Sequence, residues 1–126
     1  MAVEKVSQRE IVEIYYRTPE GEDKIHPALV LSNEQLLEKE DGMFYAVLIS
    51  TKNYHPEYTI KIENDWLNRP MAKESYFVTH VVTFFKLKDV IQSRNTFVKS
   101  KYFDKVLAKI IDSIFDVQIF FDEDDD

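Results

Sequence analysis

Lys24-Ile-His-Pro-Ala-Leu-Val-Leu-Ser32 begins as a polar loop and ends as an apolar run. Pro27 has no N–H and holds φ at about −65°, which suits the first residue of a strand better than its centre. His26 is pushed to extended geometry by the proline ring that follows it. Residues 28–31 are apolar without a break, the pattern of a strand covered on both faces. Ser32 closes the run, and Gln35 follows at capping-box spacing, which predicts a short helix over 33–39. His26 therefore stands where a loop meets a rigid strand, a place that often carries function.

Outward from this stretch, loop and strand alternate. Residues 10–17 predict a strand with Val12, Ile14 and Tyr16 on one face and Ile11, Glu13, Tyr15 and Arg17 on the other. Residues 18–25 hold Pro19, Gly21 and four charges, an exposed loop. Residues 43–49 form a second continuous apolar strand, ending abruptly in Ser50-Thr51-Lys52. Residues 53–56 read as a turn, with His55 before Pro56. Residues 58–63 alternate, with Tyr58, Ile60 and Ile62 inward. Trp66, Leu67 and Met71 are expected anchors in an irregular segment. Residues 76–85 are the longest strand, with His80 expected as a core or interface histidine. Residues 86–95 read as a connector with a short strand or turn at 89–91. Phe103, Val106, Leu107, Ile110, Ile111 and Ile114 share one helical face, predicting a helix over 101–115 with Ser100 as N-cap. Residues 117–121 either add a short edge strand or simply pack. The crossover helices of a parallel sheet are missing. A mainly β fold follows, a small antiparallel barrel or sandwich covered on one side by the C-terminal helix.

Composition narrows the chemistry. At 126 residues one domain is expected over 1–121, with enough chain for a proper core. The two glycines, Gly21 and Gly42, exclude a Gly-rich phosphate loop. The absence of cysteine excludes disulfides, thiolate zinc sites and a cysteine nucleophile. The three histidines show no ligand spacing, so no metal site and no cofactor are expected. Nothing approaches a membrane span and no signal-peptide pattern is seen, which makes a cytoplasmic protein the default expectation. Residues 122–126, Asp-Glu-Asp-Asp-Asp, are an acidic tail expected to be disordered. Removing their five charges from the net −7 leaves the body at −2. That is not the footprint of a tight, non-specific nucleic-acid binder.

The order of elements and several local phrases resemble the MazF/PemK-like toxin family over roughly residues 9–115. The phrases are His26-Pro27-Ala28-Leu29-Val30-Leu31-Ser32 after a polar loop, and the apolar strand ending in Ser50-Thr51. They continue with the alternating strand at 58–62, Ser75-Tyr76-Phe77-Val78 opening the next, and the closing amphipathic helix. The resemblance implies an SH3-like barrel with a C-terminal helix. It also implies a type II toxin–antitoxin toxin, acting as a homodimer and neutralised by a small antitoxin. The implied activity is metal-independent cleavage of single-stranded mRNA, in which a ribose 2′-oxygen attacks the adjacent phosphorus and leaves a 2′,3′-cyclic phosphate. Such a reaction needs groups to take and give a proton and positive charge near the phosphorane. The family's Arg-Pro arginine and the hydroxyl after the apolar strand fall on His26 and Ser50, with Thr51 adjacent. His26 lacks arginine's fixed charge and forked donors. An imidazole can instead exchange a proton near neutral pH, and it is a cation when protonated.

Arg17, Lys24 and Lys52 are candidates for phosphate contact, and Tyr54, with Tyr15, for base stacking. Ser50 and Thr51 equally fit strand-ending hydroxyls bonded to nearby backbone. Two functions stay open: the ribonuclease toxin, and a catalytically weakened relative that keeps the barrel as a binding module for protein or nucleic acid. The Ser50-Thr51 pair and the loop before Pro27 favour the first. The near-neutral body and His26 in the arginine position favour the second.

Overall fold

A computed structural model describes residues 3–18, 20–53 and 55–116. Tyr54, the segment 117–121 and the acidic run 122–126 lie outside the described residues. The described elements are β1 (Glu10–Arg17), β2 (Asp23–Val30), α1 (Glu34–Lys39), β3 (Phe44–Ser50), β4 (Thr59–Lys61), β5 (Tyr76–Phe85), β6 (Val90–Phe97) and α2 (Ser100–Ile110). The strands form one antiparallel sheet in the order β4-β5-β3-β2-β1-β6. An antiparallel bridge between Leu67, beyond β4, and Val98, beyond β6, ties the two edges of the sheet together. The Lys99 N–H adds a 2.8 Å bond to the Trp66 carbonyl beside it. The mainly β, barrel-like architecture expected from the sequence is what forms.

Both faces of the central strands are buried, as their unbroken apolar runs require. Ile11, Leu29, Val47, Ile49 and Phe77 lie on one face under Phe103, Val106 and Ile110 of α2. Val12, Ile14, Ala28, Val30, Ala46 and Leu48 lie on the other, with Leu37 of α1 and Phe85. Trp66 and Leu67 are buried and Met71 packs against the first cluster, so the expected anchors hold.

Several local expectations are corrected. β2 starts at Asp23, so Pro27 sits inside a strand instead of opening it. Pro27 is tolerated because the β3 pairing begins only at Ala28; at Pro27 the strand is laddered to β1 alone. The cap of α1 is Asn33, whose Oδ1 accepts the Leu36 N–H at 2.9 Å. The Ser32 hydroxyl is used elsewhere, accepting the Tyr45 N–H across to β3 at 2.8 Å. α2 begins at Ser100 itself after Lys99, without a side-chain cap, and its α-helical part ends at Ile110. Ile111–Phe115 continues as a wider π turn. The connector expected at 86–95 is largely the strand β6. Its register against β1 shifts twice, with Asn95 at φ 54°, so alternation along it is broken. A partly buried pair, Arg94 to Glu13 at 2.8 Å, fastens it to β1.

Candidate functional site

β2 and β3 deliver the sequence candidates to one end of the sheet. Ala28 pairs with Leu48. Carried two residues further, the same register sets His26 opposite Ser50. By alternation His26 shares a face with Ala28 and Val30, and Ser50 shares the face of Ala46 and Leu48. A groove of about 680 Å³ opens there, walled by Lys24, His26, Pro27, Ser50, Thr51 and Lys52. Five of the residues singled out from the sequence therefore meet in one place. Thr18, Glu20 and Ser75 complete its polar rim.

His26 is half-buried, with its ring edge-on to Tyr16 at a centroid distance of 6.0 Å. Tyr16 is the neighbour on β1 that limits where the imidazole can swing. The Ser50 hydroxyl accepts the Lys52 N–H at 3.0 Å, closing the turn that carries Thr51 and Lys52 to the rim. This local bond is the strand-ending role open to Ser50. It uses the oxygen as acceptor and leaves the O–H able to donate. Thr51 is exposed. Lys24 pairs with Glu22 at 3.5 Å, an exposed contact that holds it weakly.

Arg17 does not reach the groove. Its guanidinium faces Asp23 across the β1–β2 hairpin at 3.2 Å and lines a separate depression with Tyr15. Tyr15 is exposed there. Tyr54 lies outside the described residues.

Two features escaped the sequence. Ser75 is 3% exposed, and its hydroxyl donates to the Lys73 carbonyl at 3.0 Å. The sequence marked it only as the residue that opens the strand at 76–85; the pairing of Ser50 with Tyr76 puts it at the same end of the sheet. The second is a cluster of rings. His80 is exposed, not a core residue, and lies 5.8 Å from His55 and 5.0 Å from Tyr58 between centroids. Tyr58, expected inward, is exposed as well. Among the described residues no three His, Asp or Glu side chains converge as a metal site would need. No helix among them is long and apolar enough to cross a membrane.

An antiparallel, barrel-like sheet covered on one side by a C-terminal helix is a fold shared with solved MazF structures. MazF from Deinococcus radiodurans superposes with a TM-score of 0.67 at 12% identity, covering 86% of this chain and 94% of that one. Toxin MazF-mt6 from Mycobacterium tuberculosis gives 0.64 at 14% identity, covering 88% and 100%. A mycobacterial endoribonuclease in complex with its cognate antitoxin gives 0.66 at 10% identity, covering 86% and 93%. At these identities the likeness is one of fold. A search of curated proteins returns no match. The family model for PemK-like, MazF-like toxins of type II toxin–antitoxin systems matches residues 7–114, and the chain belongs to that family.

Proposed function

We propose that this toxin is an endoribonuclease that cuts single-stranded mRNA without a metal ion, and that the groove at His26 is where it cuts. The observation that carries the reading is the meeting of an imidazole, two hydroxyl side chains and two lysines in one groove. In the proposed reaction the ribose 2′-oxygen attacks phosphorus and the bond to the 5′-oxygen breaks. The products are a 2′,3′-cyclic phosphate and a 5′-hydroxyl end. His26 is the group that moves a proton in this step. Ser50 and Thr51 donate to the non-bridging oxygens, while Lys24 and Lys52 offset the charge that develops there. In this proposal the protein works as a homodimer in the cytoplasm, and a small antitoxin occupies the groove to silence it.

The test is induced expression beside a His26→Ala control, with purified protein assayed on a single-stranded RNA. Growth arrest and cyclic-phosphate ends from the wild type, both lost in His26→Ala, are expected. Arrest that persists in the variant removes His26 from the mechanism. A second reading, a binding module that retains the barrel, draws on His26 in the family's arginine position and on the Lys24–Glu22 pair, which takes charge from the groove. Intact growth together with RNA that is bound but not cut would favour it.

A further inference from the structure

Beside the groove lies a second depression of about 310 Å³ with a different character. Its walls are mainly apolar, built from Val78 and Val81 with the rings of His55 and His80. Lys52 lines this depression and the groove alike, so the two are neighbours. The His55 and Tyr58 rings both lie against His80, at 5.8 and 5.0 Å, and all three residues are exposed. The platform is braced from behind. The Thr79 hydroxyl, fully buried, donates to the Tyr58 carbonyl and contacts the Ser113 hydroxyl at 2.7 Å. The Lys109 ammonium donates to the Glu57 carbonyl at 2.7 Å, fixing the turn that carries Tyr58.

We propose that His55, Tyr58 and His80 form a stacking subsite for one nucleobase of a single-stranded RNA whose backbone runs through the His26 groove. The proposal rests on the reading of that groove as an RNA site. An apolar-walled depression suits the flat face of a base and not a phosphate, whose charge would need several donors. Exposed rings held at fixed angles offer that face a surface with little ordering left to do. Lys52 stands at the seam, where the phosphate joining the stacked nucleotide to the next would pass. The subsite selects single strands, because a paired base cannot turn its face outward.

The experiment measures cleavage of a short RNA by wild-type protein and by the His55→Ala, His80→Ala and His80→Phe variants, with folding checked by circular dichroism. Each alanine variant is expected to raise KM about tenfold with kcat nearly unchanged. His80→Phe restores the wild-type KM. An abasic nucleotide at the stacked position weakens the wild type by the same factor and the alanine variants no further. Equal KM values across all four proteins overturn the subsite and leave the ribonuclease reading standing. If the wild type cuts nothing, that reading falls, and the subsite is judged by the imidazole NMR signals of His55 and His80 on titration with the same RNA carrying 2′-O-methyl groups. Shifts at both that weaken in His80→Ala uphold it, and unmoved signals overturn it.

Discussion

Ser50 and Thr51 are neighbours in sequence but do different work. The Ser50 oxygen closes a turn by accepting the Lys52 N–H, whereas Thr51 projects exposed into the groove. Ser50→Ala is therefore expected to lower stability by about 1 kcal/mol, the usual worth of such a bond, and to slow cleavage too. Thr51→Val should leave the unfolding free energy within about 0.5 kcal/mol of wild type and change only RNA turnover. Urea titration beside cleavage assays separates the two; a stable Ser50→Ala would show the turn to be held by other means. Glu74 and Tyr76 provide a pH prediction. The Glu74 carboxylate accepts the Tyr76 O–H at 2.7 Å, and chiefly through that bond it holds the phenol above its ordinary value of 10.0. The folded protein thus keeps this proton to higher pH than the unfolded chain does. The small stabilisation is complete below the unfolded value and disappears as pH rises through the folded one. In Glu74→Gln the Tyr76 ionisation should move back toward lower pH, seen as the difference in tyrosinate absorbance between proteins with and without Tyr76→Phe. His26 was legible as a site candidate because a loop, a proline and an apolar run converge on it. His55 and His80 were not, because 25 positions separate them and only the β4–β5 pairing of Thr59 with Val78 brings them together.

The elements were legible where one period ran unbroken. The continuous apolar runs of β2 and β3 and the helical stripe of α2 each carry a single pattern, and each formed. β6 was legible only as a short strand or turn at 89–91, because its two register shifts and the left-handed Asn95 break the alternation that identifies a strand. β2 reaches back beyond Pro27, the residue expected to open it, because the proline's other edge is unpaired at that point, which no sequence pattern announces. The start of α1 shows how two adjacent cap formers divide their tasks. Ser32 and Asn33 both suit a helix N-terminus, yet only the Asn33 oxygen accepts a helix N–H. Asn33→Ala should cost about 1 kcal/mol and loosen α1 alone. Ser32→Ala removes a bond made by a buried hydroxyl to the Tyr45 N–H, and should cost about 1–3 kcal/mol if that donor is left unsatisfied. Amide hydrogen exchange distinguishes them. The first variant should speed exchange at Leu36 and the second at Tyr45, and the reverse assignment would return the cap to Ser32.

On the scale of the whole molecule, the proposed ribonuclease reading has to work with the charge of the chain. The full chain carries −7, which disfavours long-range attraction to a polyanion, so under that reading binding would come from short-range contacts in the groove and beside it. Lys24 and Lys52 line the groove together with the acid Glu20, and Lys24 already faces Glu22. Two lysines can displace counterions from two phosphates at most. For a single strand the logarithm of affinity should then fall with the logarithm of salt at a slope of about −1.4 or shallower. A protein that ran RNA along a broad basic face would show a slope several times steeper. Fluorescence anisotropy of a labelled, uncleavable RNA across a salt series measures it directly. Lys52→Ala should reduce the slope by about half while the base contacts keep most of the salt-independent affinity. A steep slope that Lys52→Ala leaves unchanged would mean that the strand follows another path over the barrel. The same balance accounts for the narrow route by which the sequence pointed to the site. With no basic patch to mark it, the groove was visible only through the proline-bounded loop and the hydroxyls that end β3.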